Sequence, residues 1–309
     1  MGGGCFTSSD YVSYTKSTGR TYDHTTGRSS GQSFRQRDFE KSLNPKYFQI
    51  RECCNSDEHP NTIPVILALD VTGSMGAACR ETADALGVIM TNLYKKFKDV
   101  EFCIMGIGDL AYDNAPIQMS QFESDVRIAE SLDKIWLEKG GGGNGYESYT
   151  AAWYMGLKRA KLDCWKQNRK GIIITMGDEP MNPYLPYGEL NDAINGNERH
   201  DVETKDLYDD VIKKFDVFHI AINDKESSYR HYDTEIANTF GQLLGNRLKV
   251  STIQALATTI EDCITESIGA SGMTAAMQDG ISDAVVVINE STEEETGEIK
   301  YNDKGEITW

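Results

Sequence analysis

Asp70, Thr72 and Ser74 stand at alternate positions directly after an apolar run, Val65–Leu69. A carboxylate and two hydroxyls at the mouth of a buried strand are oxygen ligands that apolar packing does not call for. Hard divalent cations such as Mg2+ are held in this way, by few protein oxygens, with water or a ligand completing the shell. The same residues also suit an ordinary strand-to-helix turn, with Asp and Ser as capping residues. Asp109, after Gly106-Ile-Gly, ends a second apolar run. It is read as a residue behind the ligands or as a cap, not as a ligand.

The elements that must position these groups alternate between strand and helix. Val65–Leu69 is short and continuously apolar, which predicts a strand buried on both faces. Leu86, Ile89, Met90, Leu93 and Phe97 fall at helical spacing and predict a helix over 77–97. Further strands are expected at 100–106, 171–175, 217–222 and 248–252, with a short edge strand at 116–120, where a proline is tolerated. Helices are expected at 125–138, from the glycine-rich loop 140–145 through Lys161, and at 205–215, 231–244 and 253–268. The pattern implies an α/β fold, a doubly wound, mostly parallel sheet flanked by helices. Ligands of such sheets sit at the carboxyl ends of strands, near the point where strand order reverses.

Three segments follow. Residues 1–60 are basic, rich in Ser, Thr, Gly, Tyr and Arg, and read as a partly ordered N-terminal extension. Its tyrosines, with Phe34, Phe39 and Phe48, are the expected anchors. Residues 61–270 form the α/β domain. Residues 271–309 hold a strand at 284–289, a glutamate-rich linker at 290–298 and a C-terminal β-hairpin around Asn302-Asp-Lys-Gly.

Asp70-Val-Thr72-Gly-Ser74 resembles the first motif of the metal-ion-dependent adhesion site (MIDAS) of von Willebrand factor A (vWA) domains, of an intracellular bacterial or phage type. The resemblance spans about 62–270 and implies a vWA/Rossmann-like fold. It implies that the Thr72 and Ser74 hydroxyls bind metal directly and that Asp70 does so directly or through water. Many relatives place a Thr five residues before an Ala at the start of the next helix; here Glu147 takes that place, beside Ser148. Either of the two supplies the second ligand, unless Glu147 simply complements the helix dipole. The third loop, Ile172-Ile-Ile-Thr-Met-Gly-Asp178-Glu179-Pro, departs from the Ile-Thr-Asp pattern by an inserted Met-Gly, so Asp178 becomes the third ligand, with Glu179 its rival. Mg2+ is the implied cation, with Mn2+ or Ca2+ as alternatives. The extra acid at 147 favours tighter cation binding and leaves less charge to draw a carboxylate.

The net charge of −17 over 309 residues excludes nucleic acid and anionic membranes as preferred partners. Seven cysteines form no spaced framework and read as reduced thiols of a cytoplasmic protein. A zinc site at Cys53–Cys54 would need a second pair, and only His59 is close in sequence. No apolar run approaches the roughly 20 residues of a membrane span. The start lacks the apolar stretch of a signal peptide, and Phe6 stands where a myristoylation signal wants Ser or Thr. The four glycines lack the Gly-Lys-Ser/Thr ending of a phosphate loop.

The reading that follows is a metal-dependent protein-binding adaptor or scaffold, not an enzyme. It engages a protein partner through an acidic side chain at the metal. By family association that partner is a MoxR-type AAA+ ATPase. A structural or assembly subunit with a stabilising metal is the alternative. A metal-dependent hydrolase is a lesser one, because His24, His59, His200, His219 and His231 are scattered and no nucleophile–base pair stands out.

Overall fold

The computed structural model describes residues 4–138, 145–223, 235–270, 300–301 and 307–308. The chain begins with helix α1 (Ser8–Ser17), a hairpin of β1 (Thr21–Asp23) and β2 (Arg28–Ser30), and a short strand β3 (Arg51–Cys53). The apolar run predicted as a strand is β4 (Ile63–Asp70), buried along its whole length. Then come α2 (Gly76–Lys96), β5 (Val100–Ile107), β6 (Ile117–Glu123) and α3 (Arg127–Asp133). The helix expected at 125–138 is shorter because the chain after Asp133 turns to bring the Trp136 backbone onto the Gln118 side chain of β6.

The second half holds α4 (Ala151–Arg159), β7 (Ala160–Leu162), β8 (Gly171–Gly177), β9 (Tyr184–Leu185), α5 (Tyr187–Ile194), β10 (Val202–Glu203) and α6 (Thr204–Val211). It continues with β11 (Phe215–Ile222), α7 (Ala237–Leu244), β12 (Leu248–Ser251) and α8 (Leu256–Ala270). Phe215 opens β11 rather than closing the preceding helix. Its ring is buried against Gly171, at the start of the paired strand.

Six strands form one sheet in the order β12-β11-β8-β4-β5-β6. All neighbours are parallel except β5 and β6. The edge strand expected at 116–120 is β6, which runs on to Glu123 and pairs antiparallel; the parallel centre is as expected, and the doubly wound α/β class holds. The chain steps outward from β4 through β5 to β6, then returns to place β8 on the other side of β4. The strand order therefore reverses between β4 and β8. Ile66 and Ala68 point to one face, into a core with Ala152, Met155 and Phe240. The other face is covered by α2, which packs on α8.

Residues up to Gly272 form one compact unit, and 273–309 form a second. In the second, β13 (Lys300–Tyr301) pairs antiparallel with β14 (Ile307–Thr308), the expected hairpin. The strand expected at 284–289 and the linker lie outside the described residues.

The N-terminal segment is held by Tyr11, one of the tyrosines expected as anchors, and by Arg20, which the aromatic pattern did not single out. Tyr11 is fully buried, and its hydroxyl bonds Ser29 and donates to the Ala83 carbonyl of α2. Gly87 of α2 makes this approach feasible, since a Cβ there would stand 2.5 Å from the Tyr11 ring. Arg20 is buried and donates to Asp84 of α2 at 3.1 Å, to Ser29 at 2.7 Å and to Ala83 O at 3.1 Å. A second guanidinium nitrogen lies 3.7 Å from Asp133, the last residue of α3. Breaking a buried ion pair by removing one partner costs about 3 kcal/mol or more. Arg20→Ala is expected to lose about that much in denaturant unfolding; a midpoint within error of wild type would move the anchor of the arm elsewhere.

Candidate metal centre

Asp70 is the last residue of β4, at the carboxyl end of the sheet, beside the switch point between β4 and β8. It is fully buried. Its Oδ1 accepts the Thr72 backbone N–H at 2.9 Å and the Thr72 hydroxyl in a short hydrogen bond. The turn then feeds Ser74 straight into α2, whose positive N-terminal end faces the acids. Ser74 Oγ donates to Asp178 Oδ1 at 2.9 Å, which ties the loop after β4 to the loop after β8.

Glu147 lies on a third loop, stitched to the second. It forms an isolated parallel bridge with Met181. Three residues on, Thr150 N–H donates to Asn182 Oδ1, and Asn182 Nδ2 donates to Thr150 Oγ1 at 2.6 Å. Ser148 is occupied differently. Its hydroxyl accepts the Leu110 N–H at 3.1 Å and so docks the loop after β5. That loop carries Asp109 and Asp113, joined by the Asp109 N–H bond to Asp113 Oδ2 at 2.7 Å.

Sequence reasoning missed Tyr149. Its hydroxyl donates to Asp70 Oδ2 at 2.6 Å and accepts the Glu179 N–H at 3.3 Å. The ring is buried and meets His219 edge-on, with centroids 5.0 Å apart, and Phe240 at 5.7 Å. Gly177 makes the space: a Cβ there would fall 1.9 Å from the Tyr149 oxygen. The glycine lets the phenol lie across the end of β8, and the acid follows one residue later. The only sequence signal was the glycine itself, at a strand end.

The electrostatics are one-sided. Burial, and then the neighbouring Asp178, push the Asp70 carboxyl above its ordinary range. Glu147 is raised by burial, then by Asp70, Asp113 and Asp109. Burial also raises Asp178, and burial with Asp178 and Glu235 pushes Glu179 up to about 7. Buried atoms Glu147 Oε2, Asp178 Oδ2 and Asp109 Oδ2 have no hydrogen-bond partner among the described residues. Such orphaned oxygens are costly unless something positive satisfies them. His219 does not serve, since burial lowers it to about 3 and its Nδ1 bonds Thr175 Oγ1.

Among the described residues, no three His, Cys, Asp or Glu side chains alone enclose a point suited to a metal ion. A cation here would draw on hydroxyls as well. Ser74 and Thr72 carry neutral oxygens here, and Glu147 Oε2 and Asp178 Oδ2 are anionic-type oxygens without partners.

No protein-family profile matches the chain. No curated protein sequence matches it either. Solved structures resemble it. One is the pilus adhesin SpaC from Lactobacillus rhamnosus GG in its open conformation, at 11% identity and a TM-score of 0.46, covering 70% of this chain and 31% of the adhesin. Another is the conserved hypothetical protein BatB from Bacteroides thetaiotaomicron, at 12% identity and a TM-score of 0.41, covering 69% of this chain and 100% of that one. The chain thus spans less than a third of the adhesin's length. The architecture is the doubly wound, mostly parallel α/β sheet that the strand pattern implied.

Proposed function

We propose that this chain is a metal-dependent protein-binding module, an adaptor or scaffold, with a Mg2+ seat at the carboxyl end of its sheet. The observations that carry the reading are the burial of Asp70, Glu147 and Asp178 on three loops by the strand switch point, the orphaned oxygens of Glu147 and Asp178, and the acidic charges of Asp70, Asp113, Asp109 and Glu179 acting on Glu147. In this reading Ser74, Glu147 and Asp178 hold the cation, with Thr72 beside them. Asp70 acts from behind, because Thr72 and Tyr149 already occupy its two oxygens. Ser148 positions the loop after β5 and is not a ligand. Bound there, Mg2+ supplies a Lewis-acidic point at which a partner's oxygen completes the shell.

No enzymatic role is assigned: among the described residues the histidine against Tyr149, His219, is buried and bonded to Thr175. Seven cysteines without a disulfide suit a reducing, cytoplasmic setting. No helix among the described residues is long and apolar enough to cross a membrane. A MoxR-type ATPase is the partner class that the motif resemblance suggests.

Calorimetric titration of Mg2+ into chelator-stripped protein tests the seat. One equivalent is expected to bind. Glu147→Gln and Asp178→Asn should each weaken it by about tenfold or more, a loss of one charged ligand. Ser148→Ala should change it by less than about twofold. Equal losses for Ser148→Ala and Glu147→Gln would reassign the second ligand, and no binding by wild type would remove the seat.

A further inference from the structure

The loops that surround the seat also carry its approach surface. The loop after β5 presents Tyr112, 58% exposed, between Asp109 and Asp113. The loop after β8 presents half-buried Glu179 and then Tyr184, 37% exposed. The two loops leave the carboxyl ends of the strands on either side of β4, and Glu147-Ser148 joins both of them, through Met181 and Leu110. At the centre of this rim lies Glu147, 5% exposed, with Oε2 unpartnered and Asp70, Asp109, Asp113 and Glu179 as the charges it meets.

This rim holds more negative charge than one divalent ion removes. Asp70, Glu147 and Asp178 together exceed the charge of Mg2+, and Asp109, Asp113 and Glu179 remain around them. A carboxylate approaching the seat meets net repulsion. A lysine or arginine meets carboxylates and exposed phenol rings, the pairing that holds a cation over an aromatic face. We propose that the partner segment read by this rim is basic, with Lys or Arg side chains between Tyr112, Tyr184 and the acids, and that any ligand it offers the metal is a neutral oxygen. The rim's charge is argued with the seat filled, so the proposal rests on the metal-dependent reading above, but it is tested apart from it.

The test uses the full chain in Mg2+ and two fluorescein-labelled synthetic peptides, one of alternating Gly and Lys and one of alternating Gly and Glu, read by fluorescence anisotropy. Mg2+ calorimetry runs in parallel. The Lys peptide is expected to bind and the Glu peptide not to. Tyr112→Ala combined with Glu179→Gln should weaken the Lys peptide by about tenfold. Glu58→Gln removes one exposed charge ahead of β4, at the opposite end of the sheet, and should change it by less than about twofold. Mg2+-dependent binding of the Glu peptide overturns the proposal, as does binding of neither peptide. Equal weakening by the rim and Glu58 variants overturns it as well, since that marks general attraction to an acidic protein. Absence of a Mg2+ heat with Lys-peptide selectivity intact removes the cation seat and leaves the basic-partner surface standing.

Discussion

Stripped of divalent cation, the protein should lose thermal stability steadily as pH rises from 5 to 8, and millimolar Mg2+ should abolish most of that loss. The buried carboxyls Asp70, Glu147 and Asp178 all titrate above their ordinary range in the folded chain, and Glu179 titrates at about 7. In the unfolded chain they titrate near 4. Between these values the native state binds more protons than the unfolded one, so unfolding free energy falls with pH. Stability is fully present below the unfolded values and is lost as pH passes the raised folded ones. Two pKa units of combined shift correspond to about 3 kcal/mol, or roughly 6–12 °C in a chain of this size. A cation at about a hundred times its Kd returns about 2.7 kcal/mol, because it takes over the neutralising role of the protons. Glu147→Gln should flatten the pH slope without metal and remove the Mg2+ response. A wild-type slope of the opposite sign between pH 5 and 8 would sink the account of a buried acidic seat.

The fold was legible where burial was uniform. Val65–Leu69 and Gly171–Thr175 are continuous apolar runs, and strands buried on both faces leave little freedom to such residues. The arm was legible in part: its tyrosines were expected as anchors and Tyr11 is buried, while Arg20 is held by specific polar bonds to α2 that no periodicity encodes. The site divides in the same way. Asp70, Thr72 and Ser74 lie within one turn, so their spacing is their geometry. Glu147 and Asp178 meet them only because Asn182 joins Thr150 and because Ser148 docks Leu110. Those contacts span loops far apart in sequence, and which of Glu147 and Ser148 the neighbouring loop engages shows only in three dimensions. Tyr149 was invisible for a related reason: an aromatic at the start of a helix reads as core, and its polar end declares itself only in three dimensions.

Gly177→Ala is expected to be among the most damaging conservative changes in the chain. The added Cβ would stand 1.9 Å from the Tyr149 oxygen and 2.4 Å from the ring carbon that bears it. The ring has little room to yield, being packed against His219 and Phe240 with its hydroxyl on Asp70. Overpacking of a rigid core site costs about 1–3 kcal/mol, and losing a hydrogen bond to a buried charge costs about 1.5–3 kcal/mol more. The sum, about 4 kcal/mol, should lower the melting temperature by roughly 8–16 °C. Tyr149→Phe removes only the hydroxyl and should cost about 2 kcal/mol, leaving Asp70 Oδ2 without its donor. The two changes share that hydrogen bond, so the double variant should be less destabilised than the sum of the singles, a coupling of about 1–2 kcal/mol in a double-mutant cycle. Strict additivity would place the Tyr149 ring away from Gly177. If the coupling appears together with weaker Mg2+ binding in both single variants, the glycine acts on the seat through the phenol that holds Asp70.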